Sequence, residues 1–280
     1  MLLILLLTLS TLAAVAATLQ TCAVQGLGAI WVLPVSFLGV FLAQAAILFL
    51  VIWISCMLVK NKPAPEKESK YFRFLIQQVC YAAIPILMVR VHKKGLEQTP
   101  KSGRFLLVCN HLDNLDPVTL TWFFRKSRLA FISKRENSSM FLVGKLMHKT
   151  LCQLVIREND REALKTILRC IEILNKDLAS VAVFPEGYTS MDEKLHPFRS
   201  GVFKIALRAK VPVVVCTLQN TQKVFRNALR LRPTDVHLHL LEVIPVEELK
   251  NVTAVELSQR VHKLMADDLG PENVLQPQEG

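Results

Sequence analysis

The chain has 280 residues, enough for one ordinary domain with an extension or for two small ones. Lys and Arg number 34 against 23 Asp and Glu, a formal net charge of +11, yet residues 1–59 contain none of these charges. That partition excludes a simple soluble globular chain, and a hydrophobic content of 51% excludes disorder.

In chain order, two apolar stretches come first, at about 2–24 and 27–59. Uncharged runs of about 18 or more residues read as membrane spans. The second is longer than one crossing needs, so its helix is expected to start near Pro34, with Gln25 and Gly26 forming a hairpin turn and Trp31 and Trp53 near the ends of the span. A secretory signal peptide is the rival reading of the first run, with Ala14-Val15-Ala16 as its cleavage site. The absence of Lys or Arg before the apolar run favours an uncleaved segment. Lys60, Lys62, Lys67 and Lys70 follow the second run. The positive-inside rule then puts the charged remainder in the cytoplasm. Residues 60–85 read as a basic, Pro-containing linker followed by a helix at 71–84 that ends at Pro85 and lies in the membrane interface or caps the domain core, the interface being the favoured reading.

From residue 86 onward the pattern alternates. Strands are expected at 86–91, 104–109, 129–133, 153–156, 179–184, 212–217 and 236–244, and helices at 117–125, 137–149, 160–176, 200–209 and 252–267. The clearest helix, 160–176, repeats Ala163, Leu164, Ile167, Leu168, Ile171 and Leu174 at helical spacing. Strands alternating with helices predict an α/β fold with a largely parallel central sheet flanked by helices, preceded by the hydrophobic hairpin. Ligand sites in such sheets gather beyond the carboxyl ends of strands.

Polar residues just after strands are therefore the candidates. Asn110-His111-Leu112-Asp113-Asn114-Leu115-Asp116-Pro117 follows the strand ending at 109. Asp116 before Pro117 reads as a helix N-cap, which lets its carboxylate reach back to His111. A carboxylate on one imidazole nitrogen fixes the tautomer and leaves the other nitrogen free to take a proton from a hydroxyl. Phe184-Pro185-Glu186-Gly187-Tyr188-Thr189-Ser190 follows the strand ending at 184. There Gly187 permits a tight turn, and Glu186, Thr189 and Ser190 supply polar groups. Arg199 opens the helix at 200, where backbone amides favour anions, and Arg157 stands just beyond a short strand. Taken singly, each arginine reads more simply as a surface charge. His237 and His239 alternate with Leu and read as the polar face of a strand, and His148 reads as solvated.

The seven Cys are scattered singly with no C-x-x-C pair, a pattern of reduced thiols in the cytosol rather than a zinc site. A G-x-S-x-G elbow, a Walker loop and G-x-G-x-x-G are all absent from the sequence, so serine hydrolysis and nucleotide-dependent phosphotransfer lack their usual signatures. The basic balance suits anionic lipid or polyanionic substrates, and nucleic acid is not expected as a partner.

In order, these blocks resemble the glycerolipid (lysophospholipid) acyltransferase family. Asn110, His111 and Asp116 match its N-H-x-x-x-x-D motif, Arg157 falls at the arginine of its second motif, and Phe184-Pro185-Glu186-Gly187 matches the core of F-P-E-G-T-R-S. Val211-Pro212-Val213-Val214-Val215 matches its apolar fourth motif, while Gly95-Leu96-Glu97, Phe198 and Gly201 also look like the family. The resemblance spans roughly 88–245 and makes residues 86–280 the catalytic domain.

It implies a 1-acylglycerol-3-phosphate acyltransferase: His111 as general base on a lysophospholipid hydroxyl, Asp116 orienting it, and no metal or other cofactor. The acyl donor is a thioester on coenzyme A or on acyl carrier protein. The resemblance also implies an acceptor site lined by Asn110, Glu186, Gly187, Thr189 and Ser190, with Arg157 on the acceptor phosphate. Thr189 stands where the family carries Arg, so Lys194 and Arg199 are the candidates for the missing cation. Other acceptors, such as another lysophospholipid or an aminolipid, remain open. So do a thioesterase and a non-catalytic lipid-binding protein on the same fold.

Overall fold

A computed structural model of the chain describes residues 2–60, 65–155, 160–190 and 192–275. Helix α1 (Leu2–Gln25) turns at Gly26, whose φ of 75° suits glycine, passes through a 3-10 turn and returns as α2 (Val32–Met57). The helix begins at Val32, two residues before the expected Pro34. Proline is tolerated in a first turn, where its missing N–H has no helical partner. Both helices are long and apolar enough to cross a membrane. Ser10, Ala14 and Thr18 repeat every four residues and are the buried positions of α1, so small side chains let the two backbones approach. Most large apolar residues of the pair face outward.

Helix α3 (Lys70–Ile86) is capped by Ser69 and runs through Pro85 before Met88, at φ 53°, breaks it. It is not an isolated surface helix. Phe72, Leu75, Cys80 and Ile84 are buried, and Arg73 is 8% exposed. The Arg73 guanidinium donates to the carbonyls of Leu129 and Thr150 at 2.8 and 3.0 Å and to the buried Glu68 carboxylate at 2.8 Å. Its other face leaves Tyr71, Phe74, Val79 and Ile86 exposed.

Seven strands then form one sheet: β1 (Val89–Lys94), β2 (Leu106–Cys109), β3 (Leu129–Lys134), β4 (Gln153–Val155), β5 (Ser180–Val183), β6 (Val213–Gln219) and β7 (Thr234–Ile244), in the spatial order β1-β7-β6-β2-β5-β3-β4. Every neighbouring pair is parallel except β6 and β7, which run antiparallel past a register shift at Val215/Cys216. The expected α/β fold is borne out, with β1 starting three residues late because α3 runs on.

Strand β2 shows why parallel strands read as continuous apolar runs. Leu106 and Val108 enter one core with α6 (Asp160–Asn175), α7 (Lys204–Ala209) and α9 (Ala254–Leu269). Leu107 and Cys109 enter the other with α4 (Asp116–Phe123) and α8 (Val224–Ala228). The helix α5 (Phe141–Lys149) packs against α2 and α3. Gly95 has φ 77°, and a Cβ there would collide with the Leu240 carbonyl, so this position admits only glycine without a backbone shift.

Four details depart from expectation. In α6 the buried stripe is Thr166, Cys170, Ile173 and Leu174, while Leu164 and Leu168 lie half exposed. His148 is partly buried, and burial together with Lys149 and Lys145 pushes its imidazole down. His239 is partly buried and bonded to Asp268, whose other oxygen accepts from Thr217, whereas His237 is exposed and stacks on His92. The segment after β6 forms α8, which was not anticipated.

Removing the Arg73 side chain strips the Leu129 and Thr150 carbonyls of their donor and leaves Glu68 with Arg128 alone. Arg73→Ala is expected to destabilise the domain by about 3–5 kcal/mol, read as a lowered thermal midpoint in detergent. A midpoint unchanged from wild type would show that α3 is not part of the folded unit.

Candidate active site

The site forms beyond the carboxyl ends of β2 and β5. The chain leaves β2 at Asn110, whose side chain is fixed rather than free. Its Nδ2 donates to the Leu218 carbonyl at 3.0 Å and its Oδ1 accepts from the Leu218 amide at 2.7 Å. At 2% exposure it clamps the end of β2 to β6.

His111 follows and points away from the sheet. Its ring stacks on Phe184 with centroids 4.1 Å apart, and Nδ1 lies 2.8 Å from Asp116 Oδ2. The expected cap geometry is corrected here. Asp116 is the first residue of α4, and its carboxylate turns back into the loop instead of onto the helix amides. Oδ2 also accepts from the amides of Leu112 and Asp113 at 2.7 and 2.9 Å, and Oδ1 accepts from the Thr221 hydroxyl. The carboxylate is fully buried and ringed by donors, an arrangement in which Nδ1 carries the imidazole proton and donates to it. His111 Nε2 is then the free lone pair, the tautomer a general base requires. Asp113, two residues on, accepts from the Leu115 amide, and burial pushes its carboxyl up.

Glu186 ties the second loop to the first. It is 1% exposed. Oε1 accepts from the His111 amide at 2.9 Å, and Oε2 accepts from the Ser190 hydroxyl at 2.6 Å and from the His196 amide at 3.1 Å. Burial pushes this carboxyl up against the opposing effect of those donors. Ser190 is buried too, and its amide donates to the His111 carbonyl at 2.9 Å. Glu186 and Ser190 therefore hold the His111 loop in place. Gly187 takes φ 83°, and a Cβ there would come within 2.9 Å of Arg199 Nε. The exposed Arg199 guanidinium thus lies across the Gly187 backbone, beside the loop that carries Thr189.

Thr189 is the departure from expectation with chemical consequence. Its hydroxyl lies 3.1 Å from His111 Nε2. With Nδ1 protonated, Nε2 accepts, so Thr189 donates to the nitrogen that would take a substrate proton. Among the described residues the Lys194 side chain makes no hydrogen bond or ion pair, while its amide donates to Asp192. Arg157 lies outside the described residues. Thr221, which completes the shell of Asp116, was missed by sequence reasoning because it sits 105 residues away and carries no motif. Among the described residues no group of three or more His, Cys, Asp or Glu could hold a metal ion.

A strand-end histidine oriented by a buried aspartate and framed by a buried glutamate on an α/β sheet is an arrangement that can activate a hydroxyl. Residues 90–219 match the family described as Acyltransferase. It is similar to a 1-acyl-sn-glycerol-3-phosphate acyltransferase of Cocos nucifera, 29% identical over 171 residues covering 61% of this chain and 55% of that protein. A second protein so named, from Chlamydomonas reinhardtii, is 29% identical over 242 residues, 84% of this chain and 70% of the relative. The chain thus spans little more than half the length of the coconut relative. Its fold is that of the 1-acyl-sn-glycerophosphate (LPA) acyltransferase PlsC of Thermotoga maritima, with a TM-score of 0.62 at 21% identity over 85% of this chain and 94% of that one.

Two outcomes follow from the geometry. Glu186→Gln replaces one acceptor oxygen by an N–H that faces a backbone amide or the Ser190 hydroxyl, so acyl transfer should fall about 10- to 100-fold while circular dichroism stays native. Thr189→Val removes the hydroxyl that an incoming acceptor must displace, while Thr189→Ser retains it. The KM for the acceptor should drop about 2- to 5-fold in the valine variant and stay at the wild-type value in the serine variant, as read by initial-rate kinetics.

Proposed function

We propose that the protein is a membrane-bound acyltransferase that moves a fatty acyl group from an acyl thioester to the free hydroxyl of lysophosphatidic acid, giving phosphatidic acid. The observation that carries this reading is the bond from His111 Nδ1 to the buried Asp116 carboxylate, which leaves the Nε2 lone pair, engaged by the Thr189 hydroxyl, to take a substrate proton. The acceptor hydroxyl takes the place of the Thr189 hydroxyl at Nε2. As His111 removes its proton, the oxygen attacks the thioester carbonyl. The C–S bond breaks, and the departing thiolate takes the proton back from the imidazolium. Asp116 stabilises the imidazolium while it lasts. The donor is carried on coenzyme A or acyl carrier protein, and no covalent acyl-enzyme is required.

Arg199 is the cation best placed for the acceptor phosphate, because its guanidinium already lies against Gly187 in the loop that presents Thr189. Lys194 and Arg157 complete the candidate phosphate ligands. Helices α1 and α2 anchor the protein in the membrane, with the catalytic domain on the cytoplasmic side. Thr189 in the place of the family's arginine favours one further reading, a different lysophospholipid or an aminolipid as acceptor.

The test is an assay with labelled acyl thioester on both carriers, comparing wild type with His111→Ala. Labelled phosphatidic acid is expected from wild type, and the alanine variant should lose about 10²–10⁴-fold. Free fatty acid in place of acylated lipid would make the protein a thioesterase. Full activity in His111→Ala would remove His111 as the base.

A further inference from the structure

The connection from β6 to β7 carries a surface that the acyl-transfer chemistry leaves unused. Residues 220–233 read N-T-Q-K-V-F-R-N-A-L-R-L-R-P, with four cations and no acid. The segment is built, not loose. Thr221 is fully buried on Asp116, and Val224 enters the core at 1% exposure. The amides of Arg230 and Arg232 both donate to the Asn227 carbonyl at 2.9 Å, and the Asn227 side chain donates to the Thr234 hydroxyl at 3.0 Å. Leu231 completes the turn at φ 53°.

This self-bonded turn holds apolar side chains in solvent. Leu229 is 89% exposed, Leu231 82% and Phe225 51%, with Arg226, Arg230 and Arg232 exposed between them. Among the described residues these three arginines have no ion pair.

The topology fixes where this turn lies. Gln219 at the end of β6 pairs with His237 near the start of β7, so the connection sits at the carboxyl end of β6. Strands β2 and β5 run parallel with β6, so His111 and Glu186 emerge at the same end. Strand β1 runs parallel with β7 and starts there too. The Thr234 amide donates to the Met88 carbonyl at 3.2 Å, next to Ile86, which is 63% exposed at the end of α3. Helix α3 in turn meets the start of α1, where the Leu2 amide donates to Gln78. Exposed apolar residues therefore occur on the apolar helices, along α3 and on the turn.

We propose that residues 223–232 dock on the surface of an anionic phospholipid bilayer. Leu229, Leu231 and Phe225 enter the boundary between headgroups and acyl chains, and Arg226, Arg230 and Arg232 pair with lipid phosphates. Side chains that project singly between arginines suit a deformable lipid surface rather than a protein partner, whose docking would call for an apolar patch or groove of matching shape. The proposal deepens the proposed function and rests on it for its purpose: it brings the His111 end of the sheet to the layer where a lysophospholipid resides.

The test uses the full chain with Leu229→Cys carrying an NBD fluorophore, with wild type labelled in parallel to subtract native thiols. The protein is placed in nanodiscs of phosphatidylcholine with or without phosphatidylglycerol, with brominated acyl chains in matched samples. The expected result is blue-shifted emission quenched by bromine, with quenching at least about twofold stronger in the anionic discs. Combining Arg226→Gln, Arg230→Gln and Arg232→Gln should remove that lipid preference while circular dichroism stays native. Emission characteristic of water in anionic discs would overturn the proposal. So would a blue shift seen only when acidic acyl carrier protein is added, which would assign the turn to a protein partner. The fluorescence needs no turnover, so a failure of the acyl-transfer assay and a failure of docking are read separately.

Discussion

The site depends on the saturation of one buried carboxylate. Asp116 receives the His111 ring proton, two successive backbone amides and the Thr221 hydroxyl. A carboxylate alone at zero exposure would be strongly disfavoured, and the amides are what make it tolerable there. They belong to Leu112 and Asp113, so the same bonds that hold the charge also define the path of the loop. The imidazole is therefore oriented by the backbone geometry of its own turn. Its stacking on Phe184 then restricts the ring plane.

Glu186 applies the same logic across the sheet. Strands β2 and β5 are neighbours, so the loops that follow them emerge side by side. Without a tie, two adjacent loops at a sheet end would move independently. The Glu186 carboxylate bonds the His111 amide on one loop and the Ser190 hydroxyl and His196 amide on its own. Asn110 makes the corresponding tie to β6 through the Leu218 backbone. The residues closest to His111 are thus mostly devoted to holding it in place.

This division explains what the sequence made legible. The alternation of apolar strands and amphipathic helices reports burial, and the α/β fold follows from it. The His111–Asp116 pair is legible because both partners lie within one short loop, at a spacing that a turn can close. Two kinds of feature were not. The roles of Asn110, Glu186 and Ser190 depend on partners more than seventy residues away or on which way a buried side chain turns, neither of which a motif records. The stripe of α6 was misread because Leu164 and Leu168 fit the helical period as well as Cys170 and Ile173 do, and only the packing partners select between them. Helix α8 went unnoticed because Phe225, Leu229 and Leu231 sit in the open and give no periodic buried face.

The same division shows how acceptor recognition can change without loss of the base. The loop from Phe184 to Ser190 is fixed by Glu186, Ser190 and the glycine turn, so the side chain at 189 is not part of its frame. A substitution there leaves the Asp116–His111 geometry standing and alters only what meets Nε2 and what charge lines the mouth. In this chain the position holds a hydroxyl bonded to the base, while a guanidinium reaches the loop from Arg199, ten residues on. Positive charge for an anionic acceptor can therefore come from a different element than the family motif supplies. The buried acids fix the loops at the sheet end, and the exposed guanidinium against Gly187 is no part of that frame.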